Sequence, residues 1–172
     1  MCVIIWSPDG RIPKQHVLGA MLRHQDGWGF SVSTGKKIAT YRSVDHEQFL
    51  AAWANRAAGP VLFHARWATH GAVVRENCHP FPVRGHKLSV AHNGIIRGYG
   101  SERRSDTRHF IEEVLEPMPE WFLEEDSIVQ AIELVLGNSK MVFVRPDGEA
   151  TILNEHLGVW QGGRWYSNRT AF

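Results

Sequence analysis

Residues 140–154 read KMVFVRPDGEATILN, and the architecture turns on this stretch. Lys140 to Arg145 reads as a strand, Pro146-Asp147-Gly148 as a hairpin turn and Ala150 to Asn154 as the returning strand, so the two must run antiparallel. Gly158 to Gln161, a Gly162-Gly163 turn and Arg164 to Ser167 repeat the arrangement downstream. Upstream the elements mix. Val3 to Trp6 is a buried strand stopped by Ser7-Pro8-Asp9-Gly10, and Pro13 suits the first turn of a helix to about Arg23, with Val17, Leu18, Met21 and Leu22 on one face. Trp28 to Ser33 and Lys37 to Arg42 form a hairpin around Thr34-Gly35-Lys36. A helix is expected over Ser43 to Ala58, with Asp45 near its start and Phe49, Leu50 and Trp53 on one face, stopped by Gly59-Pro60.

Val61 to Phe63 is a further strand. The polar, doubly prolyl stretch from Ala72 to Pro82 reads as a loop long enough to expect function of it. Lys87 to Ala91 is a strand ending in His92-Asn93-Gly94, with Ile95 and Ile96 resuming it after the turn. Ser105-Asp106-Thr107 caps a helix through Leu115, Pro117 and Pro119 break it, and a second helix runs from about Glu125 to Leu136. Strands and helices do not alternate as βαβ units, so the expectation is α+β: helices packed on largely antiparallel sheets.

The totals agree with one domain, residues 1–172. The chain has 172 residues, 43% hydrophobic and 22% charged, enough for a core without covalent staples. A net charge of +1 gives no global pull toward nucleic acid or membrane. The apolar run after Cys2 is too short for a signal core or a membrane span. Two cysteines, Cys2 and Cys78, read as free thiols in a reducing compartment, so a cytoplasmic protein is expected.

Cys2 is the residue with the most chemistry to offer. If Met1 is removed, Cys2 carries a thiol and a free α-amine, whose ordinary pKa values of roughly 8.5 and 7.7 to 8.0 let the amine take the thiol proton near neutral pH. A second-position cysteine is also commonly just a small buried residue. Arg66 follows an apolar strand, where a planar guanidinium suits a carboxylate, or serves a structural ion pair. Asn93-Gly94 ends another strand and offers a side-chain amide and a backbone N–H to an oxyanion, or forms an ordinary turn. Asp106 offers a carboxylate to an ammonium, or caps its helix. Together these groups are what cleavage of a side-chain amide on a free amino acid requires.

The chain resembles the class II glutamine amidotransferases, glutaminase domains of the N-terminal nucleophile hydrolase superfamily. The matching stretches are Met1-Cys2, Asp26-Gly27-Trp28-Gly29, HARWATHG (64–71), NCHPF (77–81), AHNGII (91–96) and Ser105-Asp106-Thr107. They occur in the family's order over about the first two-thirds of the chain. The resemblance implies a four-layer αββα sandwich of two mainly antiparallel sheets flanked by helices. It implies Cys2 as nucleophile with its own amine as base, Asn93 and Gly94 as oxyanion hole, Arg66 on the substrate carboxylate and Asp106 on its ammonium. Trp67, Thr69 and His70 would line the substrate, and Trp67 to about Pro80 would be a lid that excludes water from the thioester. Neither cofactor nor metal is called for.

Three points stand apart from that pattern. Val3 replaces a usual glycine, which predicts crowding beside the nucleophile, and Cys78 sits in the lid with no role assigned. The chain ends at Phe172 without a domain to consume ammonia, which leaves either a separate synthase subunit as acceptor or a free-standing amidase. Two further readings keep the scaffold: hydrolysis of a γ-glutamyl amide in a larger metabolite, and a non-catalytic binding module. The ten histidines invite a metal reading, but their spacing matches no zinc pattern.

Overall fold

The computed structural model describes residues 1–83 and 87–171. In chain order the elements are β1 (Val3–Ser7), α1 (Lys14–Arg23), β2 (Trp28–Ser33), β3 (Ile38–Ser43), α2 (His46–Ala54), β4 (Val61–Ala65), β5 (Phe81–Val83) and β6 (Leu88–Asn93). They continue as α3 (Asp106–Phe110), which widens into a π-helical turn over Ile111–Leu115, then α4 (Asp126–Leu136), β7 (Lys140–Val144), β8 (Ala150–Leu153), β9 (Val159–Gln161) and β10 (Arg164–Tyr166). One sheet has the order β3-β2-β4-β1-β10-β9 and the other β5-β6-β7-β8. Every pairing in both is antiparallel.

The period-two alternation of buried strands builds the layers. In β1, Val3 and Ile5 join the core under α1 and α2, with Val17, Ala20, Met21 and Phe49. The intervening Ile4 and Trp6 face the second sheet, where they meet Leu62, Ala91, Val142, Val144 and Trp165. In β7, Met141 and Phe143 turn to the other side, to a third core with Phe110, Leu115, Ile132 and Leu136 from α3, its π turn and α4. Helix, sheet, sheet, helix is the four-layer αββα sandwich that the resemblance implied. Each fully buried large apolar side chain contributes on the order of 1.5 to 3 kcal/mol. Polar residues between the sheets pair with each other: Ser31 and Ser89 hydroxyls lie 2.6 Å apart.

Four local expectations change. α2 is shorter than Ser43 to Ala58, because the Asn55 side chain takes the Ala51 carbonyl (2.8 Å) and the Arg56 guanidinium folds back over the Trp53 ring (3.8 Å). Phe81-Pro82-Val83 is an edge strand, not loop; an edge tolerates proline because the missing N–H has no neighbour to serve. Ile95 and Ile96 do not resume β6, since the chain turns at Gly94. On α1 the core face takes Ala20, while Leu22 is 72% exposed. Among the described residues no helix is long and apolar enough to cross a membrane.

Candidate active site

β1 lies inside its sheet between β4 and β10, and the register Val3↔Ala65 sets Cys2 beside Arg66 and Trp67. The Trp67 N–H donates to Cys2 Sγ at 3.3 Å, and Sγ lies 3.4 Å from the Trp67 carbonyl. Asn168 Nδ2 holds the Cys2 carbonyl at 2.7 Å. Burial pushes the thiol up from its ordinary range, while the Trp67 N–H, the nearby N-terminal charge and Arg66 pull it back. The Cys2 nitrogen is joined to Met1 as a peptide amide. Val3 does not crowd the thiol: its side chain is fully buried on the helix side of the sheet.

A cavity of about 610 Å³ opens at Cys2, walled by Trp67 and Thr69, by Gly94, Ile95 and Arg97, and by the end of α4 from Leu134 to Ser139. Arg97 is exposed there and makes no ion pair or hydrogen bond with the described residues. Gly94 has φ +147, and a Cβ on it would sit 2.0 Å from Ser139 Oγ, so no other residue fits this turn.

Arg66, Asn93 and Asp106 lie behind the wall instead of on it. Arg66 is 2% exposed. Its guanidinium donates to the carbonyls of Ala72 (3.0 Å), His70 (2.7 Å) and Gly71 (3.2 Å). It thereby holds the loop that carries Thr69. Asp106 Oδ2 accepts the Ile96 N–H and Oδ1 the Thr107 N–H, both at 2.8 Å, while Ser105 caps α3 by accepting the Arg108 N–H at 3.2 Å. Asn93 Nδ2 donates to Ser167 Oγ at 2.7 Å, and its Oδ1 is buried without a partner among the described residues. His70 is exposed but does not line the cavity.

Sequence reasoning assigned no role to several residues that hold this arrangement. Asp26 Oδ2 accepts the Ala68 N–H (2.7 Å), and backbone bonds join Asp26 to the Arg66 carbonyl and Arg66 to the Gly27 carbonyl. Asn77 ties the loop to the next one, donating to Ala72 and Arg103 carbonyls and accepting the Ser105 N–H. Cys78 is a buried free thiol packed where a Cβ on Gly27 would come within 2.3 Å of its sulfur. Burial raises its pKa to about 11, so it stays protonated. The motif blocks around Asp26 and Asn77 carry these residues in the sequence, but their partners lie far along the chain and no local pattern encodes them.

Three buried histidines underlie the site. The His64 and His79 rings lie with centroids 4.2 Å apart and tilted by 37°, His64 Nε2 meets the His92 carbonyl at 3.1 Å, and His92 Nδ1 meets the Thr107 hydroxyl at 2.8 Å. Burial holds all three far below the usual imidazole range, His64 at about 3 and His92 at about 4. Among the described residues no three His, Cys, Asp or Glu side chains are grouped to hold a metal ion.

The geometry therefore offers a partly exposed thiol, a glycine turn with a buried amide behind it, and a tethered loop over one cavity. A family model described as glutamine amidotransferases class-II matches residues 15–118. The chain belongs to this family. A glutamine–fructose-6-phosphate aminotransferase of Neisseria meningitidis is 39% identical over 85 residues, 48% of this chain and 14% of that protein. One from Clostridium acetobutylicum is 35% identical over 134 residues, 66% of this chain and 22% of that protein. This class II glutamine amidotransferase domain thus spans less than a quarter of the length of those two relatives. Its fold matches glutamine phosphoribosylpyrophosphate amidotransferase from B. subtilis with a TM-score of 0.59 at 17% identity, covering 96% of this chain and 41% of that one.

Proposed function

We propose that this chain is one domain that hydrolyses the side-chain amide of glutamine, with Cys2 as nucleophile and its α-amine, freed of Met1, as base. The observation that carries the reading is the single cavity shared by Cys2, Trp67, Thr69 and Gly94 in a chain of this family. The amine takes the thiol proton, and the thiolate adds to the amide carbon. The developing oxyanion is met by the Asn93 side chain and the Gly94 N–H. Collapse expels ammonia, which leaves with the proton from the amine, and water then hydrolyses the γ-glutamyl thioester to glutamate and regenerates the thiol. In this reading the substrate carboxylate is taken by Arg66, which exchanges loop carbonyls for it, with Thr69 and His70 alongside. Asp106 takes the ammonium.

The test is release of glutamate and ammonia from glutamine by protein whose intact mass shows loss of Met1. Cys2→Ala is expected to abolish release; substantial activity in that variant would exclude the nucleophile. A separate synthase subunit is proposed as the acceptor of ammonia, and a stoichiometric partner on native purification would support it. A second reading, hydrolysis of a γ-glutamyl amide with a larger amine, is favoured by the exposed apolar wall of Ile95, Leu134 and Val135 beyond the thiol. Faster turnover of γ-glutamyl anilide than of glutamine would establish it.

A further inference from the structure

Two unmet hydrogen-bonding groups meet at the floor of the site. Ser167 Oγ accepts the Ile4 N–H at 2.8 Å and the Asn93 Nδ2–H at 2.7 Å, which leaves its own proton with no acceptor among the described residues. Asn93 Oδ1, 1% exposed as a residue, is an acceptor with no donor. An amide's oxygen and nitrogen exchange places on a half-turn about the Cβ–Cγ bond. After that turn Ser167 keeps the Ile4 N–H as acceptor and gives its own proton to Oδ1, so both of its bonds are directed, while Nδ2 takes the buried position that has no partner among the described residues. An unsatisfied buried donor or acceptor costs about 1 to 3 kcal/mol, so the turned amide recovers the Ser167 hydroxyl's bond and needs an acceptor at Nδ2, which an oxyanion would supply in the hydrolytic reading. It also puts a donor, in place of an acceptor, next to the Gly94 turn that lines the cavity.

We propose that Ser167 is the positioning residue for the Asn93 amide: its hydroxyl, fixed by the Ile4 N–H of the nucleophile's own strand, locks Oδ1 and commits Nδ2 to the oxyanion. The inference rests on the hydrolytic reading above. It adds that one hydroxyl sets nucleophile strand and oxyanion donor relative to each other. Ser167 also pairs through its backbone, its N–H donating to the Ile4 carbonyl at 3.0 Å, so the side chain has little freedom to serve either neighbour otherwise. Thr107 and His92, the other buried polar groups of this end of β6, are paired with each other and do not compete for the amide.

The experiment has two arms. Kinetically, Ser167→Ala is expected to lower kcat for glutamine about tenfold or more, part of the loss expected for one oxyanion donor, with KM within about twofold. Ser167→Thr, which retains the hydroxyl, restores most of it. Added to Asn93→Ala, Ser167→Ala is expected to cost nothing further; an additive loss, which a merely structural role would give, overturns the proposal. Ser167→Cys, keeping a weak acceptor for Ile4, serves if the alanine variant does not fold, and is expected to show the same non-additivity. In the second arm, the side-chain amide protons of Asn93 are followed by nitrogen-15 NMR. They are expected to shift and broaden together in Ser167→Ala as the unlocked amide reorients, and to return in Ser167→Thr; unchanged resonances in Ser167→Ala overturn the locking role. If the wild type fails to hydrolyse glutamine while the amide shifts behave as expected, the hydrolytic reading falls and the orientation of Asn93 stands.

Discussion

At the scale of single residues, the side chain whose type was legible but whose partners were not is Arg66. A guanidinium after an apolar strand is expected to act from a rigid position, and the structure spends its donors on three successive loop carbonyls. Those partners depend on how the chain turns after β4, which no local pattern encodes. Arg66→Ala is therefore expected to raise KM for glutamine about tenfold or more and to make the 67–80 segment more susceptible to limited proteolysis. Arg66→Lys should rescue little, because an ammonium lacks the planar fork that spans several acceptors. An unchanged KM with an unchanged cleavage pattern would remove Arg66 from both roles. Val3 teaches the complementary lesson. Its neighbourhood to Cys2 in sequence suggested crowding, and strand alternation sends the two side chains to opposite faces.

Elements were legible where periodicity and caps agree. Asp45 was placed near the start of a helix, and its carboxylate accepts the Gln48 N–H at 2.8 Å as the N-cap of α2. Asp45→Ala is expected to destabilise the domain by about 1 kcal/mol, read as a lower denaturant midpoint at unchanged slope; no shift would mean that packing of Phe49 alone holds the helix. The far end of α2 was overestimated because Gly59-Pro60 is a strong stop signal, whereas the Asn55 side chain ends the helix earlier. β5 was missed for a related reason. Proline argues against a strand in general but not on an edge, and edge position is a property of the assembled sheet.

For the whole molecule, the α+β class is legible in the order of strands and helices, and the four layers in the resemblance to the family. The interior polarity is not. Buried as neutral rings among Arg66, Arg42, Lys140 and Asp106, His64, His79 and His92 keep unpartnered nitrogens. Unfolded histidines titrate at 6.5, and the folded values lie lower, at about 3 for His64 and about 4 for His92. The unfolded chain therefore binds more protons below pH 6.5, and stability is full above that pH and falls as the pH drops toward 4. Each such histidine contributes on the order of 2 to 3 kcal/mol of loss by pH 4.5. Chemical denaturation from pH 7.5 to 4.5 is expected to show this decline, reduced in His79→Phe; a flat profile would mean that the rings protonate in place.

The contacts at Cys2 link positions far apart along the chain. The bonds from Ser167 to Ile4 and from Asn168 to the Cys2 carbonyl close separations of 163 and 166 residues. β10, which flanks the nucleophile strand, follows every other described strand in chain order. Cys2 and Ile4 therefore gain these two partners only after β1 to β9 and α1 to α4 are in the chain. The geometry around the thiol is thus set by tertiary closure and not by local sequence, and a chain cut before Ser167 loses both bonds.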